Sequence, residues 1–228
     1  MEDKGDGGVP IVRPNFDTIY SAAILDPYVG KITIELPKTD RYMSVYCFDQ
    51  DQFIIYYGTA PTIFTIRREM IKTDYAICLL RTGLIENTPE DLDIVHELQA
   101  QVTLTVDGEG DGEFIIPDYN KLSAQETRRG LRQLTKNVRE TDKMFGNRWE
   151  TDPIQHLIGV AAGWGGMPRE MAIYEPGVVD DETGEVSYQL TLVDVPVDAF
   201  WSVTVYDENG FVFENADSVS INSYNGKV

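Results

Sequence analysis

Arg13, Asn15 and Asp17 cluster in the segment RPNFDTIYS. A guanidinium, a carboxamide and a carboxylate held together can orient a polar ligand, although Asp17 can equally cap a turn. The only two histidines, His96 and His156, limit any base or metal site built on imidazole. A Ser-His-Asp hydrolase would use His156, but no serine sits in a nucleophile turn, and a packed or capping histidine is the plainer reading. His96 beside Glu97 or Asp93 is weaker still as a metal pair, since adjacent helix positions do not point together. No G-x-S-x-G elbow, Walker loop, H-E-x-x-H or G-x-G-x-x-G occurs, and GWGG at 163–166 has the wrong spacing and no preceding strand. Paired carboxylates decide nothing among 38 acids. Trp149, Trp164 and Trp201, with twelve tyrosines, could line a carbohydrate or hydrophobic-ligand groove, yet aromatic residues at strand spacing are more often core. Neither a cofactor nor a metal is called for, and the catalytic candidates reduce to Arg13, Asn15, Asp17 and His156.

The elements that would position these residues are mostly strands. The 228 residues suffice for one large domain or two of about 100 residues each. Nineteen basic against 38 acidic residues give a net charge of −19, which repels phosphate backbones and anionic membrane surfaces, so nucleic acid is disfavoured as a partner. No apolar run approaches the ~20 residues that span a bilayer, and MEDKGDGGVP lacks the basic and hydrophobic regions of a signal peptide. Cys47 and Cys78 lie in strand-like runs without a C-x-x-C pattern; they read as buried thiols, with a single disulfide as the alternative.

Period-two patterning predicts strands over 14–25 (after a turn), 31–36, 41–49, 53–57, 62–66, 75–81, 101–106 and 113–117, then 186–193, 200–206 and around Phe211 and Ile221. Tyr42, Ser44, Tyr46 and Phe48 alternate with Met43, Val45 and Cys47, the pattern of a strand covered on both faces. Turns are expected at 107–112 (DGEGDG) and 208–210. Thr88-Pro89-Glu90-Asp91 starts a short helix with Leu92, Val95 and Leu98 on one stripe. Ser123-x-x-Glu126 reads as a capping box for a helix running to about Glu140, its surface carrying Arg128, Arg129, Arg132 and Lys136. Between 151 and 174, Asp152 caps a helix with Pro153 first, Gln155 completing a capping box and Gly163 as the stop. Ile154, Leu157, Ile158 and Ala161 share its apolar face, while His156 and Gly159 lie opposite, where glycine permits close approach; cover on both sides is expected.

The chain also reads as an internal duplication. MSVYCFD at 43–49 aligns with WSVTVYD at 201–207, Phe53 falls opposite Phe211, and PNFDTIY at 14–20 matches the spacing of PREMAIY at 168–174. Ser44 and Ser202, Asp49 and Asp207, and Tyr20 and Tyr174 are shared and so architectural, whereas Arg13, Asn15 and Asp17 belong to the first copy alone. The second unit looks shorter than the first.

RPNFDTIYS, VHELQ around His96, the DPIQHLIGVAAGWGG helix and VPVDAFWSVTVYDENGF resemble the paired domains of unknown function 1254 (N-terminal) and 1214 (C-terminal), over about Val12 to Asn225. The resemblance implies two β-sandwich domains, the second jelly-roll-like, in proteins that often oligomerise and are often exported; it implies no assigned activity. Members usually carry helices before the first motif and strands after SINSYN, so the chain reads as truncated at both ends or as a short member.

The expectation is therefore a mainly β protein with a few short helices: two related β-sandwich (jelly-roll-like) units, 1–120 and 168–228, joined by a helical connector over 121–167. Its expected role is a soluble acidic binding or assembly module, with open sheet edges covered by a second copy or a partner chain and with room for a small-molecule ligand. The alternative is a hydrolase or lyase acting on a small polar or carbohydrate-like substrate where the sandwiches meet. Compartment and substrate are not legible.

Overall fold

The computed structural model describes residues 13–86, 88–109, 113–138, 141–181, 183, 185–207, 210–213 and 219–226. The Gly-rich leader, part of the 107–112 turn, the end of the second helix at 139–140 and the Glu208-Asn209 turn lie outside the described residues.

The N-terminal part is a sandwich of two antiparallel sheets. The four-stranded sheet has the order β1-β6-β3-β4, from β1 (Thr18–Leu25), β6 (Ala76–Gly83), β3 (Met43–Asp49) and β4 (Ile54–Thr59). The three-stranded sheet has the order β5-β2-β7, from β5 (Thr62–Ile66), β2 (Lys31–Leu36) and β7 (Thr103–Asp107). Its alternation is plain in β2, where Ile32, Ile34 and Leu36 point into the core while Lys31 and Glu35 are exposed. Against them pack Met43, Val45, Cys47, Cys78 and Leu80 of the first sheet. Every residue of β3 is buried, so both faces of that strand are covered, as its pattern predicts.

Cys47 and Cys78 sit directly opposite each other on β3 and β6 and form a disulfide. The buried-thiol expectation is corrected, because cross-strand registry places the two sulfurs side by side, which sequence spacing does not show. A thiol assay in denaturant should find no free thiol before reduction and two afterwards.

The helix α1 (Pro89–Ala100) starts as expected, with Thr88 Oγ1 accepting from the Asp91 amide, and Val95 buried. Asp91 also ties the helix to the sheet: its carboxylate accepts from the Ile85 and Glu86 amides and pairs with Arg41 at 2.6 Å, side chains 6 % and 10 % exposed. Removing one member of so buried a pair strands the other. Arg41→Met is expected to cost about 3 kcal/mol in urea denaturation, more than the charge-removing Lys31→Met at the exposed Lys31–Asp107 pair.

Three other expectations change. α2 (Lys121–Leu134) starts earlier than its capping-box signal: Asn120 accepts from the Ser123 amide, so Ser123 lies inside the first turn and is no cap. The 113–117 segment forms no strand and runs exposed instead, held where Tyr75 donates to the Glu113 carbonyl, accepts from the Ile115 amide and packs its ring on Phe114. In α3 (Pro153–Ala162), Asp152 accepts from the Ile154 and Gln155 amides, but Gln155 Oε1 is buried without a partner, so no reciprocal box closes. The helix buries Ile158 and Ala161 of its apolar face and His156 and Gly159 of the opposite one, so both sides are covered as expected, while Ile154 and Leu157 near its start stay exposed. Gly159 permits the close approach: a Cβ there would stand 2.8 Å from that of Met144.

After α3 the described residues contain two strands, β8 (Ser202–Thr204) and β9 (Ser220–Asn222), paired antiparallel. The expected strand at 186–193 is not formed there.

Candidate functional site

Two ends of the four-stranded sheet gather the residues singled out by type. At the Thr18/Gly83 end, Asn15 accepts from the Asp17 amide and donates to the Thr18 carbonyl and hydroxyl, closing a local turn before β1. Asp17 is buried and accepts from Asn222 Nδ2 at 3.1 Å, while its carbonyl accepts from Leu84. Arg13, at a positive φ of 53°, donates its amide to the Gly210 carbonyl. With Tyr206 donating to the Pro14 carbonyl and Phe200 packed edge-on to Tyr42, this cluster is where the C-terminal residues dock on the first sandwich.

His156 lies at the Asp49 end, seven residues of β3 away, a span of roughly 20 Å at strand rise. Its Nδ1 faces the Met144 carbonyl at 2.7 Å and its Nε2 the Asp51 carbonyl at 2.8 Å, so both nitrogens are occupied by the main chain. Its ring stacks on Phe53 at 4.1 Å, and the Arg148 guanidinium lies 4.1 Å from the same ring centre. Two groups at that distance cannot share a face, so Phe53 is held between them. Arg148 in turn pairs with Asp49 and Asp51, both at 2.8 Å. The structure thus holds Asn15 and Asp17 in one turn, ties Arg13 to Gly210 beside it through its main chain, and keeps His156 apart from them.

The Asp49 turn has a counterpart. The Asp49 amide donates to the Phe53 carbonyl, the Phe53 amide to Asp49 Oδ1, and Gln52, at φ 64°, to the Asp49 carbonyl. The same three bonds join Asp207, Phe211 and Gly210, the last at φ 84°.

Between the two ends, the outer face of the four-stranded sheet carries polar and aromatic side chains. Register places Tyr20, Arg81, Ser44 and Thr59 in one row across β1, β6, β3 and β4, with Ala22, Leu79, Tyr46 and Tyr57 in the next. Tyr42 donates to Ser44 Oγ at 2.9 Å. Burial, with Tyr42 beside it, pushes the Tyr57 phenol up to about 12. Burial also raises the Tyr46 phenol, with Tyr174 and Tyr20 adding to the effect and Arg81 opposing it. The Tyr46 hydroxyl is buried and has no hydrogen-bond partner among the described residues. Gly165, at φ 69°, lies over it; a Cβ there would come within 3.1 Å of the oxygen. Trp164 meets Phe48 edge-on at 5.3 Å alongside. The sequence reading picked out Tyr42, Ser44 and Tyr46 as one strand face but passed over Arg81. Its signal was a lone cation at strand spacing in AICLLRTG, on the face opposite Leu80.

Among the described residues, no group of three or more His, Cys, Asp or Glu side chains could hold a metal ion, and no helix is long and apolar enough to cross a membrane.

Raised phenol pKa values mean that the folded chain holds these protons more tightly than the unfolded one. Their stabilising contribution is intact below about pH 10 and is lost as pH rises toward about 12. Urea midpoints should fall over that interval while tyrosinate absorbance lags behind that of the denatured chain. Tyr46→Phe removes a hydroxyl that bonds to nothing, so stability should stay unchanged or rise by about 1 kcal/mol; an equal loss would reveal a hidden partner.

Residues 4–65 match the family described as protein of unknown function DUF1254, and residues 178–228 match that described as protein of unknown function DUF1214. No curated protein matches. Among solved structures, the VPA0106 protein of Vibrio parahaemolyticus is similar at a TM-score of 0.72 and 14% identity, over 92% of this chain and 74% of that one, a likeness of fold alone. The VHELQ and DPIQHLIGVAAGWGG motifs fall between the two matched segments, and the chain carries the DUF1254 match ahead of the DUF1214 match, as its motifs imply.

Proposed function

We propose that this protein is a binding or assembly module made of two related β units, over 1–120 and 168–228 with a connector at 121–167, whose second unit is completed by another copy of the chain. The observation that carries this reading is a row at strand spacing, Val186, Tyr188, Leu190 and Leu192, each between 44 % and 66 % exposed and without a sheet partner among the described residues. An apolar row of that kind marks an interface. β7 adds an open edge, pairing with β2 alone, with Leu104 and Val106 on its core-facing side yet 43 % and 45 % exposed. The matching Asp49 and Asp207 turns support a duplicated unit, and the family resemblance is the ground for reading the second one as jelly-roll-like.

A hydrolase or lyase drawing on Arg13, Asn15, Asp17 and His156 would need those groups at one point. Asp17 is engaged by Asn222, and His156 by two carbonyls at the far end of the sheet. The Cys47–Cys78 disulfide suits work in an oxidising compartment.

Sedimentation velocity and native mass spectrometry should show a homo-oligomer. Replacing Tyr188 and Leu190 together by lysine and aspartate should weaken association by about 100-fold or more, from the lost burial of two large side chains. A folded wild-type chain that stays monomeric at its highest soluble concentration, with 186–192 and β7 unprotected in hydrogen exchange, would overturn the reading.

A further inference from the structure

We propose that the basic face of α2 in one copy of the chain lies along the acidic face of α1 in another, a contact that sets how the copies are oriented when they assemble. It rests on the assembly reading for its affinity, because each exposed ion pair adds little by itself; what it adds is a second surface and the surface it meets.

In a chain with 19 cations against 38 acids, α2 and the 3₁₀ turn Thr135–Asn137 that continues it hold five cations and one acid. Arg128 donates to the Ala161 carbonyl at 3.1 Å and so fastens the helix to α3. Arg129, Arg132 and Lys136, spaced by three and then four residues, share a face and are all exposed. None of the ion pairs among the described residues involves them.

α1 carries the complement. It buries Asp91 and Val95, while Glu90, Asp93 and Glu97, again spaced by three and then four residues, share an exposed face and take part in none of those ion pairs. Each stripe spans roughly 10 Å at helical rise, so three carboxylates can meet three cations along one helix pair. An apolar residue sits within each stripe: Ile94, 47 % exposed, between Glu90 and Glu97, and Leu122, 66 % exposed, two turns before Arg129.

Within one chain the two helices are fastened at different ends of β3. Asp91 ties α1 to Arg41, ahead of that strand, whereas α2 is held by α3, whose His156 meets the Asp51 carbonyl beyond the strand's other end. The overall charge then selects the partner. At −19 each, two copies repel over most of their surfaces, and the basic stripe on α2 is where an acidic helix is drawn in.

The test is carbodiimide cross-linking of the whole chain, unlabelled and isotope-labelled copies mixed, so that mixed-isotope peptides identify links between copies. The reagent joins the Lys136 Nζ to a carboxylate as an amide and takes up the water lost. Links between copies from Lys136 to Glu90, Asp93 or Glu97 are expected. They should fall by about fivefold or more between about 10 mM and about 1 M salt, as the screening length drops from about 30 Å to about 3 Å. Arg129→Glu with Arg132→Glu should remove them, as should Asp93→Lys with Glu97→Lys, with circular dichroism unchanged in each. Mixing those two variants should restore cross-linking between the unlike chains, which lost folding in either one would not do. If wild-type chains associate and protect 186–192 but form no such links, or form them undiminished in both variants, this proposal falls and the assembly reading stands. A wild-type chain that stays monomeric at its highest soluble concentration overturns both.

Discussion

The rest of the structure depends on the burial of β3 from both sides. Its seven residues alternate between two different environments, and each imposes a separate demand on the chain. Met43, Val45 and Cys47 need an apolar partner sheet, which β2 and β5 supply with Ile32, Ile34, Leu36, Phe64 and Ile66. At roughly 1.5–3 kcal/mol for each fully buried large side chain, this interface is the main source of stability. Ser44, Tyr46 and Phe48 need a cover that tolerates hydroxyls, and a second sheet of aliphatic residues would not serve. Gly165 and Trp164 provide it over Tyr46 and Phe48, and Tyr42 provides it over Ser44.

That double demand explains why the connector has to return to the sheet. α3 is fixed by its polar and small residues: Gly159 lets Met144 close in, and His156 bridges two carbonyls while stacking on Phe53. Its large aliphatic residues Ile154 and Leu157 stay exposed. Hydrogen bonds buried at the Asp49 end therefore set the position of the helix, and the glycine turn that follows it is thereby brought down on Tyr46.

Strands in the first sandwich were readable because period-two alternation of residue type marks them, and burial follows it plainly in β2 and β6; β1 to β7 all fall close to where the pattern puts them. The segment at 113–117 has the same composition but pairs with no strand among the described residues, and Tyr75 holds its main chain instead. Row 186–193 shows the same limit, for alternation specifies a face and leaves its partner open. Helix starts were legible at Thr88 and Asp152, where a proline follows the cap, and misplaced at Ser123, where Asn120 offered a carboxamide three residues earlier. Pairing of Cys47 with Cys78 and the isolation of Arg81 depend on cross-strand register, which no local pattern encodes.

Residue type was a poor guide to the candidate site for a physical reason. Asp, Asn, His and Arg are the side chains that do chemistry, and they are also the ones that can satisfy buried main-chain groups where strands end. Asn15, His156 and Asp49 do so here, while Asp17 and Arg148 bond other side chains, all at the two ends of one sheet. A group engaged in that way is fixed in place by the fold, whatever lone pairs or N–H donors it has left. The middle of the sheet satisfies its main chain through strand pairing and needs no help from side chains. Arg81 and Tyr46 stand there; Arg81 takes part in none of the ion pairs among the described residues, and the Tyr46 hydroxyl is buried under Gly165 without a partner, as Thr82 Oγ1 and Gln155 Oε1 are elsewhere. Reactive residue types at the ends of this sheet therefore make a structural seam, and residue type alone does not mark a binding face in this fold.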